Sequence, residues 1–202
     1  MRKETVGDSH PDTLNTMSNL GNSYFYQGLN SQAEALFKEC FDKRKAVLGE
    51  NHHDTLNTMN NLANAYDHQG KHRESGILYK QCLDKRKIVL GENHPETLNT
   101  MNNLAGNYND QGKHSDAEAL FKQCLDKMKT VLGENHPETL NTMSNLAITY
   151  ASQGKYTDAV VILKLCLPRM KAVLGENHPN TLDTMGNLAK IESVIKSQNI
   201  KR

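Results

Sequence analysis

Within residues 59–66 the apolar positions Met59, Leu62, Ala63 and Tyr66 follow three- and four-residue steps. At 100° per residue they gather within about one third of a helix circumference, the mark of a helix with one packed face. Met101, Leu104, Ala105 and Tyr108 repeat the pattern. A second pattern, Ala33, Phe37, Cys40 and again Ala117, Phe121, Cys124, places small and large apolar residues four and three apart on one stripe. The chain therefore alternates two kinds of amphipathic helix.

The alternation is strictly periodic. His10, His52, His94, His136 and His178 stand 42 residues apart, and around them recur GENHPETLNTMNNLA, then Y-x-x-QGK, AEALFKQCLDK and VLG. Four units run 10–51, 52–93, 94–135 and 136–177, and a partial fifth covers 178–202 as a C-terminal cap helix. A period without insertions is what a stack of like hairpins requires, since each unit must present the same face to its neighbour. Met1–Val6 aligns with Lys43–Leu48, so residues 1–9 are expected to be the remnant of a preceding second helix.

Each first helix is expected to open at Pro11, Pro95, Pro137 or Pro179, where a missing N–H costs nothing, with Asp12, Glu96 or Glu138 at the positive end of the helix dipole. His53 replaces Pro in the second unit and predicts a less firmly set start. Gly28, Gly70, Gly112 and Gly154 are the expected stops. For the second helices, Ser31-x-x-Glu34 and Ser115-x-x-Glu118 read as capping boxes, and Glu34–Lys38 and Glu118–Lys122 as i,i+4 pairs. Ser75 stands where Ala is expected, with Gly76 beside it, so the second hairpin should be the softest. Pro168 should kink the second helix of the fourth unit or end it early.

The side of the first helices opposite the packed face is rich in carboxamides. It carries Asn57, Asn60, Asn61 and Asn64 in the second unit, and Asn99, Asn102, Asn103 and Asn109 in the third. Asn disfavours helix interiors, so its repetition needs a reason. A carboxamide both donates and accepts, and a row of them can bracket the backbone of an extended peptide. The alternative is that the amides bond one another or water between helices, or were inherited with the duplicated unit.

Composition narrows the function. Lys and Arg number 24 against 23 Asp and Glu, a balance that argues against nucleic acid as partner. Only 37% of residues are apolar and 5% aromatic, fitting a thin core spread along a stack. No apolar run is long enough to span a membrane, and MRKETVGDSH lacks the apolar core of a signal peptide, so a cytoplasmic protein is expected. Cys40, Cys82, Cys124 and Cys166 share one slot per unit and are expected to be buried, unbridged thiols. Five histidines mark unit starts and cannot converge on one ion, and Gly70 separates His68 from His72, so neither metal nor cofactor is expected. Gly106 to Gly112-Lys113-His114 has one residue too many for a phosphate loop. The DKRK runs at 42–45 and 84–87 read as a solvated helix edge. No nucleophile with a base and an orienting group can be nominated, so no enzyme is expected.

The pattern of a small residue and Tyr on the first helix, then Gly, then A-x-x-x-[F/Y] and a small residue on the second, resembles tetratricopeptide repeats. The HP-[D/E]-T-L opening, NNLA and QGK look specifically like kinesin light chain repeats, over 10–177 fully and 178–190 in part. The resemblance implies an all-α fold, a right-handed α-solenoid whose first helices line a concave groove for a protein or peptide partner. It places the second Asn of NNLA on the inner wall, hence Asn61 and Asn103, with Asn19 and Asn145 where Ser precedes, and Asn187 in the same register. The heptad coiled coil by which kinesin light chains hold the heavy chain does not occur in this sequence, so kinesin heavy chain is not an expected partner. The carboxylate-clamping Lys of chaperone-binding relatives is replaced by Ser18, Asn60, Asn102 and Ser144. Similar units also form sensor arrays of signalling ATPases, the alternative function, and a purely structural spacer is a third.

Overall fold

A computed structural model describes residues 7–200; for residues 199 and 200 only the backbone is considered. The expectation for Met1–Val6 lies outside the described residues. The described residues form helices and turns and fall into two compact units, divided between Glu92 and Asn93. The first holds α1 (Pro11–Tyr26), α2 (Asn30–Leu48), α3 (His53–His68) and α4 (His72–Val89). The second holds α5 (Pro95–Asp110), α6 (His114–Val131), α7 (Pro137–Ser152), α8 (Tyr156–Leu174) and α9 (Pro179–Ile200). Odd-numbered helices are the first helices of the repeats.

The repeat-start histidine caps the helix. His10, His52, His94 and His136 take an extended conformation, and Nδ1 accepts from the backbone N–H two residues on, at 3.3, 3.2, 3.3 and 3.2 Å. His178 does the same to Asn180 at 3.2 Å. One otherwise orphaned amide is thereby satisfied at each start. The loss of Pro at His53 leaves the geometry of the second unit's start unchanged: His52 caps in the same way, and α3 begins at its usual place. At the other end Gly70 sits at φ 75°, and Lys71 N–H donates to Tyr66 O at 3.0 Å, closing a Schellman turn that only a residue free to adopt positive φ allows.

The expected capping boxes do not form. α2 and α6 begin at Asn30 and His114, so Ser31 and Ser115 lie inside the first turn, and the capping positions Leu29 and Lys113 make no side-chain cap bond. Glu34 and Glu118 instead anchor the next hairpin. Gln69 Nε2 donates to Asn30 O at 3.1 Å and to Glu34 Oε2 at 2.8 Å, and Lys71 Nζ meets the same carboxylate at 2.7 Å. In the second compact unit Gln153 reaches His114 O at 3.0 Å, and Lys155 and Lys122 reach Glu118 at 2.8 and 2.6 Å. The Gln and Lys of these two QGK turns are thus latches between the hairpins of one compact unit, whereas Gln111 bonds Asn107 and Lys113 bonds Gln111 within their own hairpin. Hydrogen bonds from both lysines hold the Glu118 carboxyl down at about 2. Of the two expected i,i+4 pairs, Glu118–Lys122 is present, whereas Glu34 pairs with Lys71 instead of Lys38.

Between the helices of each hairpin lies the thin core. Ala33, Phe37 and Leu62 pack together in the first compact unit, and Ala105, Phe121, Leu140 and Met143 in the second. The cysteine slot does more than fill space. Each Sγ donates to the carbonyl of a Leu on the facing first helix, Leu14, Leu56, Leu98 and Leu140, at 3.4, 3.4, 3.3 and 3.2 Å. All four thiols are buried and unbridged, and burial pushes Cys124 up to about 12 and Cys166 to about 11, so neither is a nucleophile at neutral pH.

One further expectation needs revision. The DKRK runs are not wholly solvated: Arg44 and Arg86 are 4% and 3% exposed. Arg44 donates to Asp54 O at 3.1 Å, Thr58 Oγ1 at 2.7 Å and Asn15 Oδ1 at 2.6 Å, tying α2 to α3 and α1. Of the two outcomes expected at Pro168, the early end does not occur: α8 runs through the proline to Leu174. In α9, Ile191 is buried with Ala147, Ala159 and Leu163, while Glu192 pairs with Lys164 at 2.8 Å.

Ser75 occupies the slot of Ala33, Ala117 and Ala159, fully buried, and its hydroxyl finds no hydrogen-bond partner among the described residues. Ser75→Ala should therefore stabilise the protein by about 1 kcal/mol, the desolvation penalty of an unmade hydrogen bond. Urea unfolding followed by circular dichroism should show a higher midpoint at unchanged slope.

Candidate functional site: the carboxamide side of the first helices

The amides divide into two classes. Asn60 and Asn102 are each 6% exposed, in the same slot as Ser18 at 9% and Ser144 at 5%. Asn102 Oδ1 accepts from Thr142 Oγ1 at 3.0 Å, and Ser144 Oγ meets Thr184 Oγ1 at 3.1 Å. Asn102 thus bonds the neighbouring first helix, and both amides at this slot are too deeply buried to meet a peptide. In the second compact unit Asn102 and Ser144 each face the next first helix, a neighbour that a single helix's periodicity does not reveal.

The other amides keep an accessible edge. Asn19 is exposed, and Asn57, Asn61, Asn64, Asn99, Asn103, Asn109 and Asn145 are half-buried. Several bond locally. Asn57 Oδ1 accepts from Arg86 Nη2, Asn64 Oδ1 from Tyr79 OH at 2.5 Å, and Asn103 Nδ2 donates to Asn99 Oδ1 at 3.5 Å. Asn109 Oδ1 lies 2.9 Å from His114 Nδ1. Asn61, Asn103 and Asn145, the second Asn of each motif, share one register and one degree of exposure; Asn187 is half-buried as well. The second-Asn residues of each compact unit are therefore displayed, while the first-Asn residues are consumed in packing.

In the first compact unit Asn61 Nδ2 donates to Asn22 Oδ1 at 3.1 Å, joining the first helices of consecutive repeats. Asn22 was not among the expected site residues, although it stands in the register of Asn64, which was. In the second compact unit that register holds Gly106. A cavity of about 210 Å³ opens there between α5 and α7. Phe121 and Thr149, both buried, form its floor, and the half-buried Asn145 and Ile148 its wall. Asn109 and the exposed Asp110 stand at its mouth. A larger, mostly apolar depression of about 430 Å³ lies beside Met17, Leu20 and Leu36 of the first compact unit and carries no carboxamide. Among the described residues no helix is long and apolar enough to cross a membrane.

Comparison with known proteins identifies this architecture. A search of curated protein sequences finds no match. Among solved structures, a kinesin light chain-like protein from Podosopora anserina with nearly identical TPR-like repeats is 25% identical, covers 94% of this chain and 90% of its own, and superposes with a TM-score of 0.76. BtubC (BKLC) from P. vanneervenii is 21% identical over 92% of this chain and 74% of its own, with a TM-score of 0.76. The Rap conjugation gene regulator of the plasmid pLS20, solved in complex with the Phr* peptide, is 16% identical with a TM-score of 0.74. This chain spans 47% of that regulator's length. The fold is the all-α solenoid of tetratricopeptide-type hairpins. The tetratricopeptide repeat family model matches residues 12–88, 68–130, 96–172 and 139–193, which together run through nearly the whole array. The chain belongs to the tetratricopeptide repeat family and its repeats are kinesin light chain-like.

Proposed function

We propose that this protein is a non-catalytic scaffold that binds an extended segment of a partner protein along the carboxamide side of its first helices, in the manner of a kinesin light chain-like adaptor. Tetratricopeptide arrays are protein-interaction modules, and the fold relative from plasmid pLS20 was solved with a peptide bound. The observation that carries the proposal is the register of Asn61, Asn103 and Asn145, with Asn19 exposed at the equivalent position. Each holds an amide edge out of the core on a helix whose opposite side is packed. An amide can accept from a peptide N–H and donate to the next C=O, which holds backbone independently of its side chains. The four repeats 10–51, 52–93, 94–135 and 136–177 supply the recognition helices. The unbridged, buried thiols favour a cytoplasmic setting.

The Asn61→Leu, Asn103→Leu double substitution tests the reading. Leu is the better helix former, and both positions have room toward solvent, so far-UV helicity and melting temperature should hold. Retention of peptides from a displayed random dodecapeptide library should fall at least about tenfold, the equivalent of one or two lost net hydrogen bonds. Undiminished retention would move the site elsewhere.

A further inference from the structure

We propose that the cavity over Gly106 is a specificity pocket that takes one arginine or lysine side chain of the bound segment. The inference rests on the scaffold reading and adds what it lacks, a preference for one kind of residue. In the first compact unit the register of Gly106 is filled: Asn22 occupies it and accepts from Asn61 at 3.1 Å. In the second, Asn145 faces a glycine and turns toward Asn102 Oδ1 at 3.5 Å, leaving about 210 Å³ open. Packing does not require the glycine, because a Cβ built on it meets nothing within 4 Å and its backbone is helical. Glycine in a helix interior is unfavourable, so the open space has a standing cost that close packing does not explain.

The size suits one long side chain: small-molecule sites run to roughly 300–1,000 Å³. The chemistry selects which one. The Phe121 ring and Ile148 offer an apolar lining for a methylene stem, while the Asn145 amide in the wall and the Asn109 amide and Asp110 carboxylate at the mouth are polar. No basic residue lines the cavity. A basic side chain satisfies both halves, with its stem on the apolar lining and its charged head at the mouth. A carboxylate would meet Asp110 at close range, and a short polar residue would leave the floor empty.

The test pans the full chain, its Gly106→Asn variant and the Asn61→Leu, Asn103→Leu variant against one displayed random dodecapeptide library. Asn is already accommodated at this register as Asn22 and Asn64, so Gly106→Asn should fold with unchanged helicity. The wild-type chain is expected to retain peptides with Arg or Lys fixed at one position. Gly106→Asn should still retain peptides but without that preference. A synthetic peptide from the wild-type pool should bind Gly106→Asn at least tenfold more weakly, and its Arg→Ala or Lys→Ala analogue should bind both proteins alike. Wild-type peptides with no fixed basic residue, or a basic preference that persists in Gly106→Asn, would overturn the pocket while leaving the scaffold reading intact. No retained peptide at all, or retention indifferent to the double Asn substitution, would instead overturn the scaffold reading, and the pocket with it.

Discussion

Arg44→Ala is expected to destabilise the first compact unit by about 3 kcal/mol, whereas Arg44→Met should cost about 1 kcal/mol or less. Arg44 is 4% exposed, and its guanidinium donates to Asp54 O, Thr58 Oγ1 and Asn15 Oδ1, which belong to both neighbouring first helices. Alanine leaves those acceptors facing a cavity where the longest side chain of the hairpin had been. Methionine is the protein's own alternative. The same slot holds Met128 and Met170 in the third and fourth repeats, 1% and 0% exposed, and each thioether sulfur lies 3.2 Å from a threonine Oγ1. Thr58 already bonds Asp54 O at 2.9 Å, so it would keep one partner in the methionine variant, as Thr142 does with Glu138 O at 2.9 Å. Exchanging a buried ion for a well-packed apolar residue of similar length is often close to neutral. Urea denaturation of the three proteins should rank wild type and Arg44→Met together, well above Arg44→Ala. Equal loss in both variants would show that the charge, rather than the filled volume, holds the hairpins together.

Pro168→Asp should stabilise the protein by about 3 kcal/mol and raise its melting temperature by roughly 6–12 °C. Helix α8 runs from Tyr156 to Leu174 with Pro168 inside it. Proline has no N–H, so the carbonyl of Lys164 has no i+4 donor, and the pyrrolidine ring crowds that carbonyl. Asp42, Asp84 and Asp126 occupy the same register in the other three repeats, and like Pro168 they are exposed, so aspartate fits without repacking. Thermal unfolding followed at 222 nm measures the effect. A melting temperature unchanged within a degree would mean that α8 has already relaxed around the proline at no cost.

The helices and their packed faces were legible in the sequence because a 42-residue period prints the same apolar stripe four times, and one stripe fixes one face. Less legible was whatever depends on a neighbouring repeat. Glu34 and Glu118 looked like capping partners because Ser precedes them by three. Their actual partners, Lys71 and Lys155, are 37 residues away, a distance that local pattern cannot weigh. Arg44 looked solvated among Lys43, Lys45 and Asp42, yet it alone of that run points between helices. The candidate site shows the same divide. Adjacent residues on a helix are 100° apart, so Asn102 falls into the contact between α5 and α7 while Asn103 stays half-buried at the surface, although both belong to one run of amides. The histidine caps could have been found earlier, since His immediately before a helix-opening Pro occupies the capping position.

The most direct measurement of the recognition claim is photo-crosslinking of a library-selected peptide carrying one benzophenone side chain, with the attachment points located by mass spectrometry. The account predicts adducts on first helices, next to Asn61, Asn103 or Asn145 and competed away by unlabelled peptide. Adducts confined to the second helices, for example beside Ile77, Ile88 or Val161, would contradict it.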